Sequence, residues 1–129
     1  MIRQTVHTDN APHAVGPYSQ AIIANGFVFC AGQTGIDPAT GKLVEGGVPE
    51  QTRQVLKNIG EVLAAAGTSL EHVVKTTVYL HAISDFQIMN KVYAEFFPTN
   101  PPARTTLGDL DIPLGGQVEI EAVAVLPQA

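Results

Sequence analysis

Arg104 is the side chain best placed to do chemistry in this sequence of 129 residues. It follows the stiff run Pro101-Pro102-Ala103, and no Lys or Arg comes after it. A guanidinium presented from a rigid segment can grip a carboxylate through two parallel, charge-assisted hydrogen bonds. The bland alternative is a surface arginine with a weak ion pair. Carboxylates stand further on, in Glu119-Ile120-Glu121-Ala122-Val123-Ala124-Val125. Side chains alternate along an extended chain, so Glu119 and Glu121 share a face with Val123 and Val125. Either both glutamates lie on a solvated rim, or one lies in a cleft with a partner.

Three further segments invite a ligand. Gly16-Pro17-Tyr18-Ser19-Gln20 precedes a hairpin and Ala31-Gly32-Gln33 follows it. A glycine at 32 lets a ligand approach the backbone N–H closely. Read plainly, Tyr18 is a core residue and Gly32 only ends a strand. Asn90 falls inside a helical pattern, where a polar residue is commonly solvated or capping. Other chemistries find little footing. His7, His13, His72 and His81 show no metal-ligand spacing with Cys30. Phosphate-loop, dinucleotide, HExxH and GxSxG motifs are lacking. Cys30 has apolar strand neighbours and reads as an inert buried thiol, and Asp109 and Asp111 read as solvated loop residues.

The elements that must position these groups are legible. Asn25-Gly26, flanked by Ala21-Ile22-Ile23-Ala24 and Phe27-Val28-Phe29-Cys30, marks a two-residue type I′ hairpin, since both turn positions need positive φ. Residues 32–41 read as a loop. Val48, Val55, Leu56, Ile59, Val62, Leu63 and Ala66 follow helical spacing, and Gly67 stands where a C′ glycine belongs. Val73 to His81 alternates as a strand with Val74, Thr76, Val78 and Leu80 on one face. Ser84 is a candidate N-cap for a second helix that runs to Phe97 and turns Phe86, Met89, Tyr93 and either Phe96 or Phe97 inward. Short strands are expected over Ala103 to Leu107 and Gln117 to Leu126, with a turn between them. This is an α+β domain spanning 1–129, a mixed sheet with two helices on one face. Phe27-Val28-Phe29-Cys30 is apolar on both sides, so the helix-free face also needs cover, and packing against other copies into a barrel-like core is the expectation.

Composition limits the function. With 45% hydrophobic and 15% charged residues the chain is globular. A net charge of −5 with scattered Lys and Arg argues against nucleic acid as a main partner. One cysteine allows no internal disulfide, no apolar run approaches a membrane span, and the N-terminus lacks a signal-peptide pattern. The expected setting is the cytoplasm.

Taken together, Gly16-Pro17-Tyr18-Ser19-Gln20-Ala21, Ala31-Gly32-Gln33, Val74-Lys75-Thr76-Thr77-Val78-Tyr79-Leu80, Asp85-Phe86, Pro102-Ala103-Arg104 and Val118-Glu119-Ile120-Glu121-Ala122-Val123-Ala124 resemble the RidA/YjgF family, in its imine-deaminase branch. The resemblance covers essentially the whole chain. It implies a chorismate-mutase-like fold, a homotrimer with its sheets packed into a central barrel, and active sites between subunits. It implies hydrolysis of 2-iminobutanoate and 2-iminopropanoate to 2-keto acids and ammonia, with no metal or organic cofactor. Such imines and their enamine tautomers leave pyridoxal-phosphate-dependent dehydratases, and their removal protects other enzymes. By position, Arg104 binds the substrate carboxylate and Glu119 orients or activates water. Tyr18 and Asn90 line the pocket, beside Ala31, and the backbones of Gly32 and Thr106 bond the reacting end. Ala31 stands where many members carry serine and Thr106 where many carry cysteine, which bears on pocket polarity.

Two other classes of function suit parts of the pattern. A non-catalytic module that senses small carboxylates would use Arg104 equally well. A ribonuclease or translation inhibitor is disfavoured by the acidic balance and by the lack of a His-based acid–base pair in the sequence pattern.

Overall fold

The computed structural model describes residues 2–128. Six strands form the main sheet in the order β1 (Arg3–Val6), β2 (Ala21–Ala24), β3 (Phe27–Thr34), β8 (Val118–Val125), β6 (Val73–Leu80) and β7 (Ala103–Leu107). A separate ribbon pairs β4 (Ile36–Asp37) with β5 (Lys42–Leu43). Helix α1 spans Gly47–Ala66 and α2 spans Phe86–Phe96. Every pair in the main sheet is antiparallel except β6 with β7. Parallel neighbours need a long crossover, and α2 lies within the one that joins them.

Local chemistry explains these elements. Asn25 and Gly26 both adopt positive φ, 53° and 81°, which lets β2 fold directly onto β3. In α1 the residues Val48, Val55, Leu56, Ile59, Val62 and Leu63 are buried, and the helix packs on β3 and β8. Gly67 stops it at φ 94°, donating its N–H to the Ala64 carbonyl at 3.0 Å. On β8, Val118, Ile120, Ala122 and Ala124 are buried on the helix side, so Glu119, Glu121, Val123 and Val125 share the other face. Met89, Val92 and Tyr93 close the core from α2, joined by Phe97 just past its end.

Four expectations need correcting. Strand β1 is absent from the sequence reading because only Val6 of its four residues is buried. Residues 32–34 continue β3 rather than opening a loop, with the register shifting between Cys30 and Gln33. A second shift, between Val73 and Lys75 in β6, buries Val73 and turns Val74 outward at 43% exposure. Ser84 does not cap α2: it lies inside a 3-10 turn, Ile83–Asp85, and Asp85 occupies the cap position without a side-chain bond.

The face opposite the helices carries apolar groups that the described residues cover only in part. Ile22, Phe29 and Val123 stand side by side across β2, β3 and β8, and Phe29 remains 46% exposed. Among the described residues no helix is long and apolar enough to cross a membrane.

Candidate active site

Strand β7 forms one edge of the sheet, in register with β6 so that Arg104 lies beside Thr76. Thr76 is buried and its hydroxyl shares a 2.8 Å hydrogen bond with the Tyr93 hydroxyl of α2. Arg104 therefore projects on the helix side, where its guanidinium carbon sits 4.8 Å from the Tyr93 ring centroid and 5.4 Å from that of Phe86. The two π faces hold the cation in place without neutralising it. Among the described residues no carboxylate lies within ion-pair distance of Arg104. Asn90 sits four residues after Phe86 and three before Tyr93, on the same stripe of α2. Its Oδ1 is buried without a partner, which contradicts the plain reading of a solvated or capping side chain. Thr106, two residues beyond Arg104, shares the side of β7 on which Arg104 lies.

A second cluster gathers where β3 meets β8. Glu119 is paired with Thr34 on one side and Tyr79 on the other. Its carboxylate presses against Gly32: a Cβ added there would overlap Oε2 and stand 2.9 Å from Cδ. Glycine at 32 thus lets the Glu119 carboxylate keep this position, since a side chain there would displace it. Burial raises the Glu119 carboxyl above its ordinary value, and the neighbouring charge of Glu121 raises it further. Glu121 in turn accepts a short hydrogen bond from the Tyr79 hydroxyl. That bond, then burial and the two glutamate charges, pushes the Tyr79 phenol up to about 12. Tyr18, Gly32, Gln33 and Thr34 line a cavity of about 630 Å³. Tyr18 is 49% exposed rather than a core residue, and its hydroxyl accepts the Val15 N–H at 3.2 Å. Ala31, half-buried, donates its N–H to the Gln20 carbonyl at 3.0 Å.

Comparison with known proteins places these two clusters in a context. The sequence profile described as Endoribonuclease L-PSP matches residues 8–126. The chain belongs to this family, the RidA/YjgF family. It is 47% identical over 125 residues to the human protein named 2-iminobutanoate/2-iminopropanoate deaminase, covering 97% of this chain and 91% of that one. The crystal structure of RidA from an Antarctic Psychrobacter superimposes with a TM-score of 0.92 at 43% identity, covering 95% of this chain and 99% of the other. Escherichia coli TdcF, solved with bound serine, gives 0.91 at 34% identity, covering 96% and 99%.

In this family member the anticipated site residues fall into two groups. Tyr18, Ala31, Gly32 and Glu119 gather near β3, while Asn90, Arg104 and Thr106 gather at α2 and β7. A single chain does not bring the groups together, because β6 separates β7 from β8 and Arg104 and Glu119 lie on opposite faces of the sheet. Cys30 is buried, and burial pushes its thiol up to about 12, as expected of an inert cysteine. Asp109 and Asp111 are exposed, as expected, although Asp109 Oδ1 accepts the Ile83 N–H at 3.1 Å. Two of the histidines form a cluster that the sequence reading, which weighed them only against Cys30, did not consider. His7 and His13 meet at Asp9, each Nε2 2.9 Å from the same Oδ1, a cluster that spacing relative to Cys30 could not disclose. Its signal was instead the pair of short separations around Asp9, together with Gln20.

Proposed function

We infer that this chain hydrolyses 2-iminobutanoate and 2-iminopropanoate, or closely related small imino acids, to the 2-keto acid and ammonia. The observation that carries the reading is Arg104, a guanidinium held over two aromatic rings with no carboxylate among the described residues within ion-pair distance. A small carboxylic acid supplies what it lacks. The activity named in the human relative and the serine bound to TdcF support that substrate class.

The proposed cleft lies between copies of the chain in a homotrimer whose helix-free sheet faces pack into a central barrel. Two facts support this assembly. The apolar row Ile22, Phe29 and Val123 needs cover. Arg104 and Glu119 sit back to back, so they share a cleft only across a subunit boundary.

In that cleft Arg104 of one protomer fixes the substrate carboxylate as a two-pronged clamp. Backbone groups of Gly32 and Thr106 bond the reacting end, and Tyr18 and Asn90 form walls. Imine hydrolysis needs a proton at nitrogen, a water at the adjacent carbon, and departure of ammonia from the resulting carbinolamine. Glu119, its carboxyl raised by burial, holds a proton more readily than an ordinary glutamate. It can pass that proton to the nitrogen and orient the water in turn. The uncatalysed reaction is already facile, so positioning with modest acid–base help suffices.

The test couples a threonine dehydratase to the protein in the presence of semicarbazide, which traps free imine. The wild-type chain is expected to outcompete the trap and Arg104→Ala to lose nearly all of that ability. Normal turnover by an Arg104→Ala protein with wild-type oligomeric state would sink the assignment. Keto-acid binding with no acceleration by the wild type would favour the sensing module instead.

A further inference from the structure

We propose that His7, Asp9 and His13 form a binding site for a divalent transition-metal ion, Zn²⁺ in the first instance, at the margin of the cavity lined by Tyr18 and Gly32. One ligand atom from each residue falls within a cluster 4.8 Å across. The two imidazole rings are tilted against each other with centroids 5.1 Å apart, and both Nε2 atoms converge on one oxygen of Asp9. Two imidazoles and one carboxylate are the donor set that suits Zn²⁺, Cu²⁺ or Ni²⁺ rather than Mg²⁺ or Ca²⁺. Tetrahedral Zn²⁺ with bonds of about 2.0–2.2 Å spaces its ligand atoms by about 3.4 Å. The two 2.9 Å His–Asp separations need to open by about half an ångström, and the remaining pair, within 4.8 Å, needs to close by at most about 1.4 Å, both within the reach of side-chain rotation.

The loop that bears these ligands is braced from below. Gln20 is buried, and its amide reads the loop backbone on both sides of Asp9: Oε1 accepts the Thr8 N–H at 2.7 Å, and Nε2 donates to the carbonyls of Thr8 at 3.0 Å and Pro12 at 2.8 Å. Ala11 is completely buried, and Thr8 Oγ1 accepts the Asn10 N–H at 3.1 Å. A buried clamp of this kind fixes the backbone, so little ordering remains to be done when an ion arrives. The ligand side chains themselves are well exposed and reachable by a hydrated cation. In the metal-free chain Asp9 and the two rings satisfy one another by hydrogen bonding, and a cation at their centre replaces those shared protons.

Three protein ligands leave a fourth position on a tetrahedral ion for water or an anion. Asp9 and His13 also line the 630 Å³ cavity, so a small carboxylate held there lies next to that position. The proposal does not depend on the deaminase reading, because loading is measured without turnover.

The experiment titrates the chelator-stripped full-length protein with Zn²⁺ against a chromophoric competitor at neutral pH. One ion per chain with micromolar affinity is expected. His7→Ala and His13→Ala are each expected to weaken it by at least roughly tenfold, the least that disturbing a metal's supporting shell costs. Cys30→Ser and His72→Ala, which alter the thiol and an unrelated histidine, are expected to leave it unchanged. Circular dichroism checks that the variants fold, and their positions on an exposed loop favour that. Two results would overturn the proposal: no saturable binding tighter than millimolar, or binding that survives loss of both His7 and His13.

Discussion

Adding a single methyl group at Gly32 probes the proposed site by displacing the Glu119 carboxylate without replacing any charged residue. The new Cβ would lie 2.9 Å from Glu119 Cδ, against an ordinary contact of 3.4 Å, and nearer still to Oε2. The carboxylate therefore has to swing away by about 1 Å, and a misplacement of that size costs on the order of 100-fold in rate. Stability should hardly change, because Gly32 does not occupy the positive-φ region and the atoms in the way are the far end of a flexible side chain. Gly32→Ala is thus expected to lower kcat in the trapped-imine assay by roughly two orders of magnitude with its Tm within about 2 °C of the parent. Shortening the carboxylate in the double variant Gly32→Ala, Glu119→Asp makes room again and is expected to recover part of the loss. Undiminished turnover by Gly32→Ala would refute a role for Glu119 at this place. A double variant no better than the single one would assign the loss to the blocked backbone instead.

Three further outcomes follow from packing and charge. Gly35→Ala puts a Cβ 2.8 Å from the Cα of Gln51, a backbone atom of α1 that cannot step aside, and is expected to cost about 1–3 kcal/mol in urea unfolding. Phe29→Asp places a charge in the uncovered apolar row and is expected to lower the mass measured by light scattering to that of one chain, with loss of turnover. Glu119 binds its proton more tightly in the folded state, so its contribution to stability is complete below the ordinary value of 4.5 and is lost as pH rises through the raised folded value. Glu119→Gln is accordingly expected to flatten the fall in Tm across that pH interval, and an unchanged slope would remove the inferred shift.

Where local chemistry decides the structure, the sequence displays it plainly. Asn25-Gly26, the apolar stripe of α1 ending at Gly67, and the alternation of β8 each require only neighbours a few residues apart. What is hidden depends on distant pairing. Arg3–Val6 joins the sheet only because β2 offers a free edge, and Val74 turns outward only because β6 bulges against β8. The same holds for the candidate site. The residue types of Arg104 and Glu119 are visible in the sequence, but their placement on opposite faces follows from the β7–β6–β8 order. The meeting of His7, Asp9 and His13 rests on Gln20, a polar side chain more distant along the chain than a spacing rule inspects.

The back-to-back arrangement of guanidinium and carboxylate also bears on how damage spreads through a mixed population of chains. In the proposed assembly each protomer lends one half of its equipment to one neighbour and the other half to a different one. A copy with a ruined anchor still offers a sound acid to the subunit beside it. Pools containing two differently crippled chains consequently assemble some wholly intact clefts, and injury to one gene copy is diluted rather than dominant.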